Sequence, residues 1–164
     1  MRILGIDPGS RKTGYAVVEH QENKSRYIES GCIRLGEKTP LSERLLLLSE
    51  SLGEIIERLQ PECGVVEQIF MAKNAKSALV LGHARGVILL KIATAKMPLY
   101  EYAPLKIKQS LVGVGSATKD QVQHMVRILL SLQQHKLQED ESDALAVALT
   151  HSHLIPALRR GLLS

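Results

Sequence analysis

The chain has 164 residues, in which 21 Lys and Arg oppose 17 Asp and Glu for a formal charge of +4, and aromatic residues make up only 3%. A single domain of this length buries a substantial core unaided, and Cys32 and Cys63 are too few for a disulfide framework. So few aromatics exclude an extended base-stacking platform, while the mild basic excess admits a polyanionic partner.

The longest apolar runs, such as Val87-Ile-Leu-Leu90, fall far short of the ~20 residues of a membrane span. With an N-terminus that lacks a signal-peptide pattern, this leads us to expect a reducing, cytoplasmic setting and no membrane. In chain order, Ile3, Leu4 and Ile6 form a short buried strand that ends at Asp7. Pro8-Gly-Ser10 is a turn, and Thr13 to Val18 returns as a second strand. Arg26 to Leu35 is a third strand completing an antiparallel meander. Thr39 is placed to cap a helix with Pro40 at its first position, and Leu41, Leu45, Leu48, Leu52, Ile55 and Leu59 recur at helical spacing. Cys63 to Glu67 is a buried strand ending, like the first, in an acid.

Ile69 to Asn74 is a loop, and Ala75 to about Lys96 a long helix. Gly82 and Gly86 lie one turn apart in it, which suggests a closely approaching backbone, either the sheet or the same helix of a second subunit. Leu99 to Tyr102 is a fifth strand, Pro104 to Leu111 a short helix, and Thr118 and Gln121 have capping-box spacing for a helix to about Leu132. The last helix spans Asp140 to about Leu154. The order predicts an α/β fold, a mixed five-stranded sheet flanked by helices, with one domain over 1–155 and a loosely ordered tail over 156–164.

Four acids stand at the ends of these elements. Asp7 and Glu67 each close a buried strand, where open α/β sheets place their ligand crevice. Asp140 and Asp143, three apart at a helix start, share a face. Each has a plain structural role open to it: Asp7 as a turn cap, Asp140 as an N-cap, the pair as complements of the helix dipole. If the four meet, they repel one another unless a cation neutralises them, and oxygen ligands without Cys or His favour Mg²⁺ or Mn²⁺. Such a cluster in a basic chain suits two-metal phosphodiester hydrolysis. His151 and His153, two apart on a helix, cannot share a face and are not taken as a zinc site.

The blocks Gly5-Ile-Asp-Pro-Gly-Ser-Arg-Lys-Thr-Gly-Tyr15, Glu67-Gln-Ile-Phe-Met-Ala-Lys-Asn74, Leu81-Gly-His-Ala-Arg-Gly86, Lys108-Gln-Ser-Leu-Val-Gly-Val-Gly115, Lys119-Asp-Gln-Val-Gln-His-Met125 and Asp143-Ala-Leu-Ala146 together resemble the RuvC family of Holliday junction resolvases. The resemblance runs over nearly the whole chain and implies an RNase H-like nuclease fold. It implies a homodimer that nicks opposing strands of four-way junctions in recombination and repair, using two Mg²⁺ per site with Mn²⁺ as substitute. Asp7, Glu67, Asp140 and Asp143 are then the metal ligands, although some relatives carry His at the position of Asp140. Phe70 wedges against bases at the crossover, Lys119 lies near the scissile phosphate, and Lys108 contributes to activity. Lys73 and Lys76, flanking the Phe70 loop, are placed to hold backbone phosphates. RuvA and RuvB are the implied partners.

Three rival readings have support in the same residues. The Gly5-Ile-Asp-Pro-Gly9 turn also resembles the phosphate turn of actin-like ATPases, but those close two lobes on ATP and this chain has one. YqgF-type RNA-processing proteins share the opening turn, yet the Phe70 loop and the Lys119 block favour the resolvase. A non-catalytic junction-binding module would keep the acids only as helix and turn stabilisers.

Overall fold

The structure is a computed structural model and describes residues 1–36, 38–68 and 75–161. Strands β1 (Arg2–Asp7), β2 (Lys12–Gln21) and β3 (Lys24–Arg34) form the meander, followed by α1 (Leu41–Leu59), β4 (Cys63–Glu67), α2 (Ala75–Thr94) and β5 (Leu99–Tyr102). Three helices close the chain: α3 (Pro104–Val112), α4 (Lys119–Leu129) and α5 (Glu139–Arg159). The sheet order is β3-β2-β1-β4-β5; β1 is antiparallel to β2 and parallel to β4, and β5 is parallel to β4.

Because β1 lies in the middle, it must be apolar on both faces, and Ile3, Leu4 and Ile6 are fully buried. Alternate residues feed two cores. Ile3, Ala16, Val18, Cys63 and Val65 pack with α3, α4 and α5. Leu4, Ile6, Val17 and Val66 pack with Leu48, Leu52, Ile88 and Ile92 of α1 and α2. This pleat sets the site, because Asp7 and Glu67 continue the series that faces α5.

Helix α5 lies directly on the two central strands. A Cβ on Gly5 would overlap the carbonyl oxygen of Ala144, and one on Gly14 would overlap that of Asp140. Glycine is needed at both positions because the helix backbone fills the space a side chain would take. His151, 1% exposed, pins the other side of α5: its Nδ1 is 2.8 Å from the Tyr102 hydroxyl, and its ring lies 4.1 Å from that of Tyr100. Burial pushes its pKa down to about 4, as for a packed, neutral imidazole.

Several expected boundaries shift. Pro40 itself is the N-cap of α1, with ψ 146° and no side-chain cap, so Thr39 does not cap it. Helix α4 stops at Leu129, because Ser131 turns into a left-handed conformation with φ 56°. Helix α5 passes through Pro156 to Arg159, so residues 156–159 are helical rather than part of a tail. Pro156 forfeits one backbone bond there, but the adjacent Ile155 is buried and holds the turn to the core. The expected close neighbour of Gly82 and Gly86 is not the sheet: nothing lies within 4 Å of a Cβ at either. Counting contiguous apolar runs also understated α2, which is long and apolar enough by length and composition alone to cross a membrane, with 17% of that stretch buried.

Gly5→Ala should lower the unfolding free energy by about 1–3 kcal/mol, the range for overpacking a filled core, in urea denaturation. An unchanged midpoint would show that α5 can lift away freely.

Candidate active site

The first turn of α5 brings two acids over the strand ends that carry two more. Its cap is Gln138, whose side chain accepts from the Glu141 backbone while the Glu141 carboxylate accepts from the Gln138 N–H at 2.7 Å. Capping is therefore done by neighbours, and Asp140 is not the N-cap. Among the described residues Asp7 likewise accepts no hydrogen bond from its turn; Thr13 Oγ1 donates to the Gly9 carbonyl at 3.4 Å instead. In the parallel register Ile6 pairs with Val66, so Asp7 and Glu67 follow side by side on the α5 face.

The electrostatics show that the acids converge. Burial, then Asp143, Glu67 and Asp140 in that order, raise the Asp7 pKa from its ordinary 3.8 to about 7, with Lys119 opposing. Burial, then Asp143, also raise Glu67, against Lys119 and Lys108. Asp143 is raised by burial despite its bond to Lys119. The Lys119 ammonium lies 2.8 Å from Asp143 and also pairs with Glu139. Burial opposes its charge, but these two hydrogen bonds hold its pKa above the ordinary lysine value.

Lys119 is presented by the N-terminus of α4, which is fixed by the expected capping box: Gln121 N–H donates to Thr118 Oγ1 at 3.3 Å, and Thr118 N–H to Gln121 Oε1 at 2.8 Å. A cleft of about 260 Å³ is lined by Glu67, Asp143, Lys108 and Lys119. Asp140 faces a second cleft, with Cys32 Sγ 3.9 Å from its Oδ2. Lys76, exposed on the first turn of α2, lines neither. Phe70 and Lys73 lie outside the described residues.

Two residues were not singled out from sequence. Glu139 holds Lys119. Arg85 donates from Nη1 to the Glu67 carbonyl at 2.9 Å and pairs with Glu101, tying α2 to the ends of β4 and β5. Its signal was a cation in an otherwise apolar helix.

The donor set is all oxygen, buried and net negative, which suits a hard divalent cation. Among the described residues no three His, Cys, Asp or Glu side chains close on one point as they stand; the Lys119 ammonium is the cation that the carboxylates share.

With divalent ions chelated, ionising Asp7 destabilises the fold. A carboxyl raised from 3.8 to about 7 contributes its full stability below about pH 4 and loses it as pH rises to 7. Asp7→Asn should thus gain stability relative to the parent over that window, on the order of 3 kcal/mol at pH 7–8. A pH-independent difference in denaturation midpoints would refute the coupling.

A family model described as "Crossover junction endodeoxyribonuclease RuvC" matches residues 3–151. The crossover junction endodeoxyribonuclease RuvC of Sodalis glossinidius (strain morsitans) is 51% identical over 97% of this chain and 91% of its own length. That of Klebsiella pneumoniae (strain 342) is 51% identical over 93% and 87%. The structure of Thermus thermophilus RuvC in complex with Holliday junction substrate superposes with a TM-score of 0.89 at 33% identity, covering 98% of this chain and 96% of that one.

Proposed function

Because the chain belongs to the RuvC family of crossover junction endodeoxyribonucleases, we infer that it is a Holliday junction resolvase acting in recombination and repair. The observation that carries the chemistry is the buried Asp7, held among Glu67, Asp140 and Asp143 with Lys119 as the opposing charge. Mg²⁺ or Mn²⁺, held by these four carboxylates as a pair of ions, would supply Lewis acidity for phosphodiester hydrolysis. The protein's own groups do the rest. Lys119 is placed to meet the scissile phosphate beside Asp143, Lys108 adds positive charge along the same cleft, and burial of Asp7 and Glu67 excludes bulk water. Phe70, Lys73 and Lys76 complete the DNA contacts in this reading. The chain acts in the cytoplasm beside RuvA and RuvB.

Two-fold symmetry supports paired nicks. On α2, Leu79, Gly82, Gly86 and Leu90 fall at helical spacing on one stripe, with Leu79 63% and Leu90 67% exposed and both glycines open. An apolar stripe with a small-residue centre suits the same helix of a second copy. Leu79→Glu/Leu90→Glu should sediment as a monomer and lose coordinated nicking; a dimeric variant would move the interface elsewhere.

The direct test is cleavage of a synthetic four-way junction beside a linear duplex of its arms, in Mg²⁺ and in EDTA. We expect paired, metal-dependent nicks in the junction alone. Asp7→Asn should lose more than the ~10–100-fold that removal of an outer-shell partner costs, with junction binding in EDTA retained. Cleavage by Asp7→Asn at the parental rate would overturn the assignment.

A further inference from the structure

On the α5 face of the sheet, two residues beyond Gly14 and Cys32, Lys12 and Arg34 stand directly opposite each other across β2 and β3. Like charges at facing positions destabilise an antiparallel pair. Both residues are exposed, and among the described residues neither pairs with a carboxylate, whereas Arg2, Arg26, Arg58, Arg85 and Lys119 all do. Lys12 is near enough to lower the pKa of Glu139, but the partner of Glu139 is Lys119. The fold thus keeps a repulsive pair with no described acid to relieve it.

The pair lines an open cleft of about 550 Å³ together with Arg11, the Gly9-Ser10 turn and Asp140. Three basic side chains against one acid make it positive, and the glycines keep its floor clear. The platform is rigid: Arg44 Nη1 donates to the Ser10 carbonyl at 3.0 Å, and the Leu35 N–H donates to the Arg11 carbonyl at 2.9 Å. Two residues along a strand span roughly 7 Å. The cations therefore sit within about two nucleotides' rise of the backbone beneath Asp140.

We propose that Lys12 and Arg34 form a phosphate-binding subsite for the DNA strand entering the active site, in a cleft separate from the one Lys119 lines. The proposal rests on the junction-cleavage reading and extends it by one stretch of backbone. A phosphodiester there removes the like-charge repulsion and displaces counterions, contributing affinity and register without regard to base sequence.

The test is binding of a four-way junction in EDTA across a series of KCl concentrations. For Lys12→Ala/Arg34→Ala the slope of log affinity against log salt should be shallower by about 2, roughly 0.9 for each lost phosphate contact. The charge-keeping exchange Lys12→Arg/Arg34→Lys should retain the parental slope. Thermal melting should not fall, since a repulsive pair has gone; if the double variant fails to fold, Lys12→Gln alone should shift the slope by about 1. A parental slope in a folded neutral variant overturns the subsite while leaving the resolvase reading intact. Failure of the parent protein to bind the junction overturns both.

Discussion

The close approach of the α5 backbone to β1 and β2 is the constraint on which the rest of the molecule depends. A helix packed on a sheet is normally held off by the side chains of both. Here Gly5 and Gly14 remove those spacers, and the carbonyls of Ala144 and Asp140 occupy the vacated positions. The first turn of α5 therefore comes down at the ends of the central strands. Asp140 and Asp143, three residues apart on one helix face, are carried to the two strand-end acids. A bulkier residue under either carbonyl would raise the helix and separate the carboxylates before altering any of them.

That geometry sets a conflict between stability and chemistry. Four carboxylates brought to one half-buried place have lost hydration and repel each other, which is why Asp7 holds its proton to about pH 7. The fold answers with a single close ammonium. Lys119 is delivered by a capped helix start, where its own charge opposes the dipole, so its position is justified by the acids and not by α4. Cheaper arrangements, with Asp140 as N-cap or Asp7 as turn cap, were available to the sequence. Gln138 and Glu141 cap α5 instead, leaving the acids as acceptors for something brought in from solvent.

Much of this was legible in the sequence because a strand has a period of two. Once Ile3 and Cys63 are placed on one face, Asp7 and Glu67 must follow on it, and all five strands and the two-residue signature Thr118/Gln121 were found where the chain forms them. The docking of α5 was not legible in the same way. Gly5 and Gly14 look like interruptions of strands until the helix that replaces their side chains is known, and that contact spans more than a hundred residues. The ends of α4 and α5 were misjudged for a related reason. Ser131 adopts φ 56° without a glycine to announce it, and Ile155 keeps a helix running across a proline. The apolar character of α2 was missed because it is spread along a stripe broken by His83, Arg85 and Lys91 rather than gathered in one run.

The arrangement of opposite charges gives the face its sense. A phosphodiester approaching four carboxylates would be repelled, and hard cations at the centre remove that repulsion only where they bind. Beyond their reach the backbone on either side still needs positive charge, or the strand would bend away from the acids. Lys108 and Lys119 supply it in one cleft, and Lys12 and Arg34 stand in the other, beside Asp140. The modest charge of +4 is therefore misleading as an average. Acids are concentrated where ions are to be held and bases where phosphates must lie, so the electrostatic pattern follows the path of one DNA strand across the ends of the central strands.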